Sequence, residues 1–117
     1  MAHLSTHVLD TARGIPAKGV RIELHRIEES ARRRVATGVT NADGRIAAPL
    51  ISGDLLEIGV YELVFHAGDY LRSAGLATGE PAFLDQVIVR FGVAELNRNY
   101  HVPLLLSPFG YSTYRGS

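Results

Sequence analysis

Apolar and polar residues alternate with a period of two along most of this chain, the spacing that sends successive side chains to opposite faces of a β-strand. Val20, Ile22 and Leu24 are interleaved with Arg21, Glu23 and His25, which predicts an antiparallel strand with one face on a core and the other toward water. The run 60–66 repeats the pattern, with Tyr61, Leu63 and Phe65 against Glu62, Val64 and His66. Val87, Val89 and Phe91 do the same against Ile88 and Arg90. Near the C-terminus, Tyr100, Val102, Leu104 and Leu106 share one face and leave His101, Pro103 and Leu105 on the other, so a titratable ring is mounted on a stiff element. At the N-terminus, Ser5, His7 and Leu9 oppose Thr6, Val8 and Asp10. Neither of those faces is cleanly apolar, as expected of a strand whose outward face has a task.

Turn chemistry divides these runs. Gly14, Pro16 and Gly19 mark residues 11–19 as a loop. The charged residues of 27–34 read as a hairpin connection into a strand over 35–40, which is rich in β-branched residues. Asn41-Ala42-Asp43-Gly44 contains the Asp-Gly pair that a tight hairpin needs, and Arg45 follows where a returning strand would begin. Asp69 as a cap and Gly75 as a terminator predict one short helix over 69–75. Ser107-Pro108-Phe109-Gly110 turns the chain into a last run that carries Tyr114, Arg115 and Ser117. About eight short strands, turns every eight to twelve residues and at most one helix predict an all-β sandwich or small barrel, with residues 1–117 as one domain.

Composition narrows the chemistry. A chain of 117 residues can bury roughly two-thirds of its unfolded surface. It has no cysteine, so neither disulfides nor thiolate ligands are available. Twelve basic and twelve acidic residues cancel, leaving no global field to attract nucleic acid or anionic membranes. Lys18 is the only lysine and lies in a Gly- and Pro-rich stretch, which weighs against Schiff-base chemistry. No leader pattern and no long apolar run is present, so a soluble, cytoplasmic protein is expected.

Five histidines are the candidates for proton transfer near neutral pH. His25 and His66 sit on the polar faces of core strands and are expected at the surface; His3 is expected to be mobile. His7 and His101 stand out because their strands carry weakly polar outward faces. His3 and His7 share a face, but four residues at about 3.3 Å each put them about 13 Å apart, too far for one ion, and no His-x-His pair occurs. No metal is therefore expected. The Gly-x-Ser-x-Gly nucleophile elbow is absent as well. Arg45 offers a planar fork for a carboxylate or an imide-like heterocycle.

Three blocks taken together resemble the signature of the transthyretin-related 5-hydroxyisourate hydrolases. They are Leu4-Ser5-Thr6-His7-Val8-Leu9-Asp10-Thr11, then Asp43-Gly44-Arg45, then Tyr100-His101-Val102-Pro103-Leu104-Leu105-Leu106-Ser107-Pro108 with the terminal Tyr114-Arg115-Gly116-Ser117. The hormone-carrying transthyretins share that fold but lack the tail and the histidine equivalent to His7. The resemblance implies a transthyretin-like β-sandwich of two four-stranded antiparallel sheets with one short helix. It also implies a homotetramer built as a dimer of dimers, with sites in the channel between dimers and no cofactor. The implied reaction is hydrolytic opening of 5-hydroxyisourate to 2-oxo-4-hydroxy-4-carboxy-5-ureidoimidazoline, a step in urate degradation to allantoin.

The residues suit that reaction on their own terms. Opening a cyclic amide with water needs a base for the water proton, donors toward the developing oxyanion, and an acid for the departing nitrogen. His7 and His101 would move the proton, and Arg45 would polarise a carbonyl. Tyr114 and Ser117 would orient substrate or water, with Arg115 anchoring the tail beside them. The rival from another class is a non-catalytic transthyretin-like carrier of small ligands, which has no need of this combination.

Overall fold

The computed structural model describes residues 2–77 and 79–116. Among these residues nine strands form two facing sheets: β1 (His3–Asp10), β2 (Ile15–Pro16), β3 (Arg21–Glu28), β4 (Ala31–Val39), β5 (Ile51–Ser52), β6 (Gly59–Phe65), β7 (Val87–Val93), β8 (Tyr100–Ser107) and β9 (Gly110–Thr113). Among the described residues one α-helix, α1, spans Ala67–Ser73. The first sheet runs β2-β1-β8-β9, with β5 also paired to β1, and the second runs β4-β3-β6-β7. The alternating pattern is thus realised as a β-sandwich, and one cluster of buried apolar side chains fills the space between its sheets. Leu4, Val8 and Leu104 of the first sheet meet Ile22, Leu24, Leu63 and Phe65 of the second. Each such side chain contributes roughly 1.5–3 kcal/mol by leaving water.

The structure departs from the sequence expectation in four places. The first sheet is not wholly antiparallel, because β1 and β8 pair in parallel, and the short β2 and β5 bring it to five strands. The hairpin connection within residues 27–34 is only Glu29 and Ser30: Ile27 and Glu28 close β3 and Arg32, Arg33 and Arg34 lie in β4, where an antiparallel ladder with a bulge beside His25 keeps them on an accessible strand. The helix starts two residues early and ends at Ser73, while Gly75 takes the left-handed φ of +71° just beyond it. No regular strand follows the Asp43-Gly44 turn; Arg45 makes an isolated antiparallel bridge to His7 instead.

That bridge belongs to a larger arrangement along the free side of β1. β5 pairs with His3 and Leu4, Arg45 bridges to His7, and β2 pairs with Leu9 and Asp10. Three short segments therefore cover an edge that one long strand would otherwise occupy. Asp10, buried at the end of β1, receives the Tyr70 hydroxyl at 2.7 Å and the Arg13 side chain at 2.9 Å, which ties the β1–β2 loop to α1. Among the described residues no helix is long and apolar enough to cross a membrane.

Candidate active site

The two histidines meet because of strand register. In the parallel ladder Ser5 lies opposite His101, and His7 lies opposite Pro103. Side chains directly across a ladder share a face, so Ser5, His7 and His101 all stand on the outward face of the first sheet. Leu4, Thr6 and Val8 point into the core. His7 and His101 are diagonal neighbours, with ring centroids 6.5 Å apart.

Each ring has one nitrogen engaged. The Nε2–H of His7 donates to the Asp43 carbonyl at 2.9 Å, which leaves Nδ1 with the free lone pair. Ser5 Oγ lies 2.8 Å from Nδ1 of His101, so the Nε2 edge of that ring is the one left toward the open face. Burial first, and then the charges of Arg45 and His7, push the His101 imidazole below its ordinary value and keep it neutral near pH 7.

Arg45 is held beside His7 by a turn that the backbone and Asn41 close together. Gly44 N–H donates to the Asn41 carbonyl at 2.9 Å, and Asn41 N–H donates to the Arg45 carbonyl at 2.8 Å. The Asn41 side-chain oxygen accepts from Asp43 N–H at 2.9 Å and Arg45 N–H at 3.2 Å. Val8 N–H donates to the Gly44 carbonyl at 2.8 Å, docking the turn on β1. Gly44 has φ +75°, and a Cβ there would stand 2.4 Å from the Val8 carbonyl oxygen, so only glycine permits the approach.

The tail continues the β8–β9 ladder. Leu104 pairs with Thr113, and in the same register Gly116 bridges His101, its N–H donating to the His101 carbonyl at 2.7 Å. The Arg115 guanidinium lies 4.2 Å from the centre of the Tyr100 ring. Tyr100 and His101 are consecutive and face opposite ways, so this stacking fixes the tail from the side away from the imidazoles. Tyr114, 58 % exposed, lines with Arg115 a groove of about 250 Å³ beside Phe91, Gly92 and Tyr100. Within one chain the structure joins His7, His101 and Arg45, while Arg115 contacts the Tyr100 ring and the Asn99 carbonyl. Ser117 lies outside the described residues.

The remaining histidines sit differently from expectation. His25 and His66 are not at the surface, being 6 % and 8 % exposed. Both give Nε2 to Glu23, at 3.0 Å and 2.6 Å, so one carboxylate partners a nitrogen of each buried ring, while Nδ1 of His25 is buried without a hydrogen-bond partner among the described residues. His3 belongs to β1 and pairs with Ser52. Among the described residues no group of three or more His, Asp or Glu is placed to hold a metal ion.

The sequence model of the HIUase/Transthyretin family matches residues 4–116. The chain belongs to that family. A relative named 5-hydroxyisourate hydrolase 2, from Rhizobium meliloti, is 60 % identical over 97 % of this chain and 95 % of its own length. The structure of Klebsiella pneumoniae 5-hydroxyisourate hydrolase superposes with a TM-score of 0.82 at 38 % identity, covering all of both chains. The crystal structure of (S)-allantoin synthase superposes with a TM-score of 0.92 at 44 % identity over 99 % of this chain, which spans 44 % of that longer one. The family match covers the strands that bear His7 and His101 and the turn that bears Arg45.

Proposed function

We propose that this chain hydrolyses 5-hydroxyisourate, opening its six-membered ring with water to give 2-oxo-4-hydroxy-4-carboxy-5-ureidoimidazoline. The observation that carries the reading is the convergence of His7, His101 and Arg45 on one outward face of the first sheet. The naming of full-length relatives as 5-hydroxyisourate hydrolases supports it. His7 takes the water proton on Nδ1, because its Nε2–H is committed to Asp43. The water oxygen bonds to the ring carbonyl carbon, and Arg45 stabilises the charge that develops on the carbonyl oxygen. The carbon–nitrogen bond then breaks, the carbon stays on the five-membered ring as a carboxyl group, and the departing nitrogen takes the proton held by His7 and becomes part of the ureido group. His101 faces the reacting atoms with its Nε2 edge. The hydroxyls of Tyr114 and Ser117 orient substrate or water, and Arg115 acts by anchoring the tail. No step calls for a cofactor.

The assembly we propose is a homotetramer, a dimer of dimers with the histidine faces turned toward a central channel. Two features favour it. Among the described residues β7 and β9 end their sheets, and residues of β7 and Thr113 of β9 line one groove; unpaired edges invite pairing with another copy. Beyond them, Phe83 and Phe109 pack together at 5.8 Å while remaining 73 % and 65 % exposed. A second copy would also close the site that a single chain leaves open.

The test is the loss of ultraviolet absorbance of freshly generated 5-hydroxyisourate with the native-ended protein and with His101→Asn, each folded by circular dichroism. Rapid loss with the first and near-spontaneous loss with the second is the expected result. Spontaneous rates with both would overturn the reading and favour a ligand carrier. Light scattering on the same sample tests the tetramer.

A further inference from the structure

We infer that Ser5 is a positioning residue for His101: its hydroxyl donates to Nδ1, holds the ring proton on Nε2 and sets that N–H toward the open face as a hydrogen-bond donor. The inference rests on the site reading above and adds a division of labour within it, with His7 as the proton acceptor and His101 as the donor.

Register comes first. Ser5 is directly opposite His101 in the β1–β8 ladder, both side chains leave the sheet on the same side, and Oγ reaches Nδ1 at 2.8 Å. A hydroxyl has one proton to give and must place it. Among the described residues the contact with Nδ1 is the one the Ser5 side chain makes, and the arrangement with Ser5 as donor places that proton within the protein. Nδ1 then accepts, so the neutral ring carries its hydrogen on Nε2.

Rotation comes second. The χ2 torsion of histidine is broad and roughly two-fold, so the strand alone does not decide which ring edge faces outward. The contact with Ser5 does, by pinning the Nδ1 edge against β1. The opposite arrangement at His7 completes the asymmetry, since there Nε2–H donates to the Asp43 carbonyl and the lone pair remains on Nδ1. The two imidazoles 6.5 Å apart are thus held as one acceptor and one donor. With Arg45 also a donor, two positive or hydrogen-bearing groups serve the developing oxyanion and one lone pair serves the water.

The experiment uses native-ended protein with ¹⁵N-labelled histidine at pH 8, as the wild type, Ser5→Ala and Ser5→Thr, each checked for an unchanged melting temperature. Imidazole nitrogen shifts report the tautomer without any substrate. Protonated Nε2 and bare Nδ1 at His101 in the wild type are expected. With 5-hydroxyisourate, Ser5→Ala is expected to lose about tenfold in kcat with a smaller change in KM, because the ring loses its fixed aim. Ser5→Thr keeps a hydroxyl and is expected to recover most of that loss. Protonated Nδ1 in the wild type, or a Ser5→Ala kcat within twofold of wild type, would overturn the inference. A wild type that leaves 5-hydroxyisourate decay unaccelerated sinks the proposed substrate instead, and the nitrogen shifts still decide the role of Ser5.

Discussion

Gly116 lies flat against the imidazole that its own backbone helps to hold: its N–H donates to the His101 carbonyl, and a Cβ at Gly116 would stand 2.7 Å from His101 Cδ2. The neighbouring Cβ and Cγ of the same residue would be at 3.3 Å, so the ring as a whole would have to move.

Gly116→Ala should therefore displace the His101 ring while leaving the fold intact, since the tail adds little to the core. The expected outcome is a loss of kcat of about ten- to a hundredfold with a melting temperature close to wild type. Turnover within twofold of wild type would show that the tail stands off from the ring in solution.

Gly44 controls Arg45 in a different way. An alanine there carries a left-handed φ of +75° and meets the Val8 carbonyl oxygen at 2.4 Å. Strain of that kind costs roughly 1–3 kcal/mol before the clash is added. Gly44→Ala should lower the melting temperature by several degrees and weaken catalysis together, because the turn that docks on β1 also carries Arg45. A stable variant with full activity would mean that the turn is not what places the guanidinium.

The strands are legible in the sequence wherever one face is core, because burial of alternate residues imposes the period of two, as along Val20, Ile22 and Leu24. His7 and His101 are legible as candidates for the opposite reason: their neighbours on the same face are neither clearly apolar nor fully charged. Register is not written locally. That β1 and β8 pair in parallel, with Ser5 against His101, follows from which strands the sandwich makes adjacent, so Ser5 carries no signal beyond its place two residues before His7. Arg45 is legible as the residue after an Asp-Gly turn, yet its docking on β1 depends on a tertiary hydrogen bond from Val8 to Gly44. His25 and His66 read as surface residues because alternation puts them on the polar face, and nothing in that spacing announces that Glu23 will serve both.

The Glu23 carboxylate carries a pH dependence of stability. Hydrogen bonds from His66 first and then His25, opposed by burial, hold it below the ordinary value of 4.5. A depressed acid stabilises the fold above its unfolded value, and that contribution is lost as pH falls through the folded one. At neutral pH, Glu23→Gln should melt roughly 5 °C or more below wild type. Below pH 4.5 the gap should close as the wild-type carboxyl protonates. Thermal melts of both proteins from pH 7 to pH 3 decide it, and a gap of constant size would remove Glu23 from the account.

The charge of Arg45 should be readable in the titration of His101. His101 lies below its ordinary 6.5 because of burial first, with the charge of Arg45 next and that of His7 after it. Removing a nearby positive charge makes protonation easier and raises the value. The titration of His101 is followed through its imidazole nitrogen shifts, whose acid limb marks protonation of that ring. In Arg45→Met that acid limb should move to higher pH, while kcat at its plateau drops by about 10²–10³ for loss of the oxyanion partner. Arg45→Lys separates the two effects. It keeps the charge and should return the limb to its wild-type position, but a point charge cannot replace the planar fork, so the plateau should stay low. A limb that stays put in Arg45→Met would mean that the guanidinium does not act on His101 across this face. Lysine at full wild-type kcat would mean that charge alone, and not the fork, serves the reacting carbonyl.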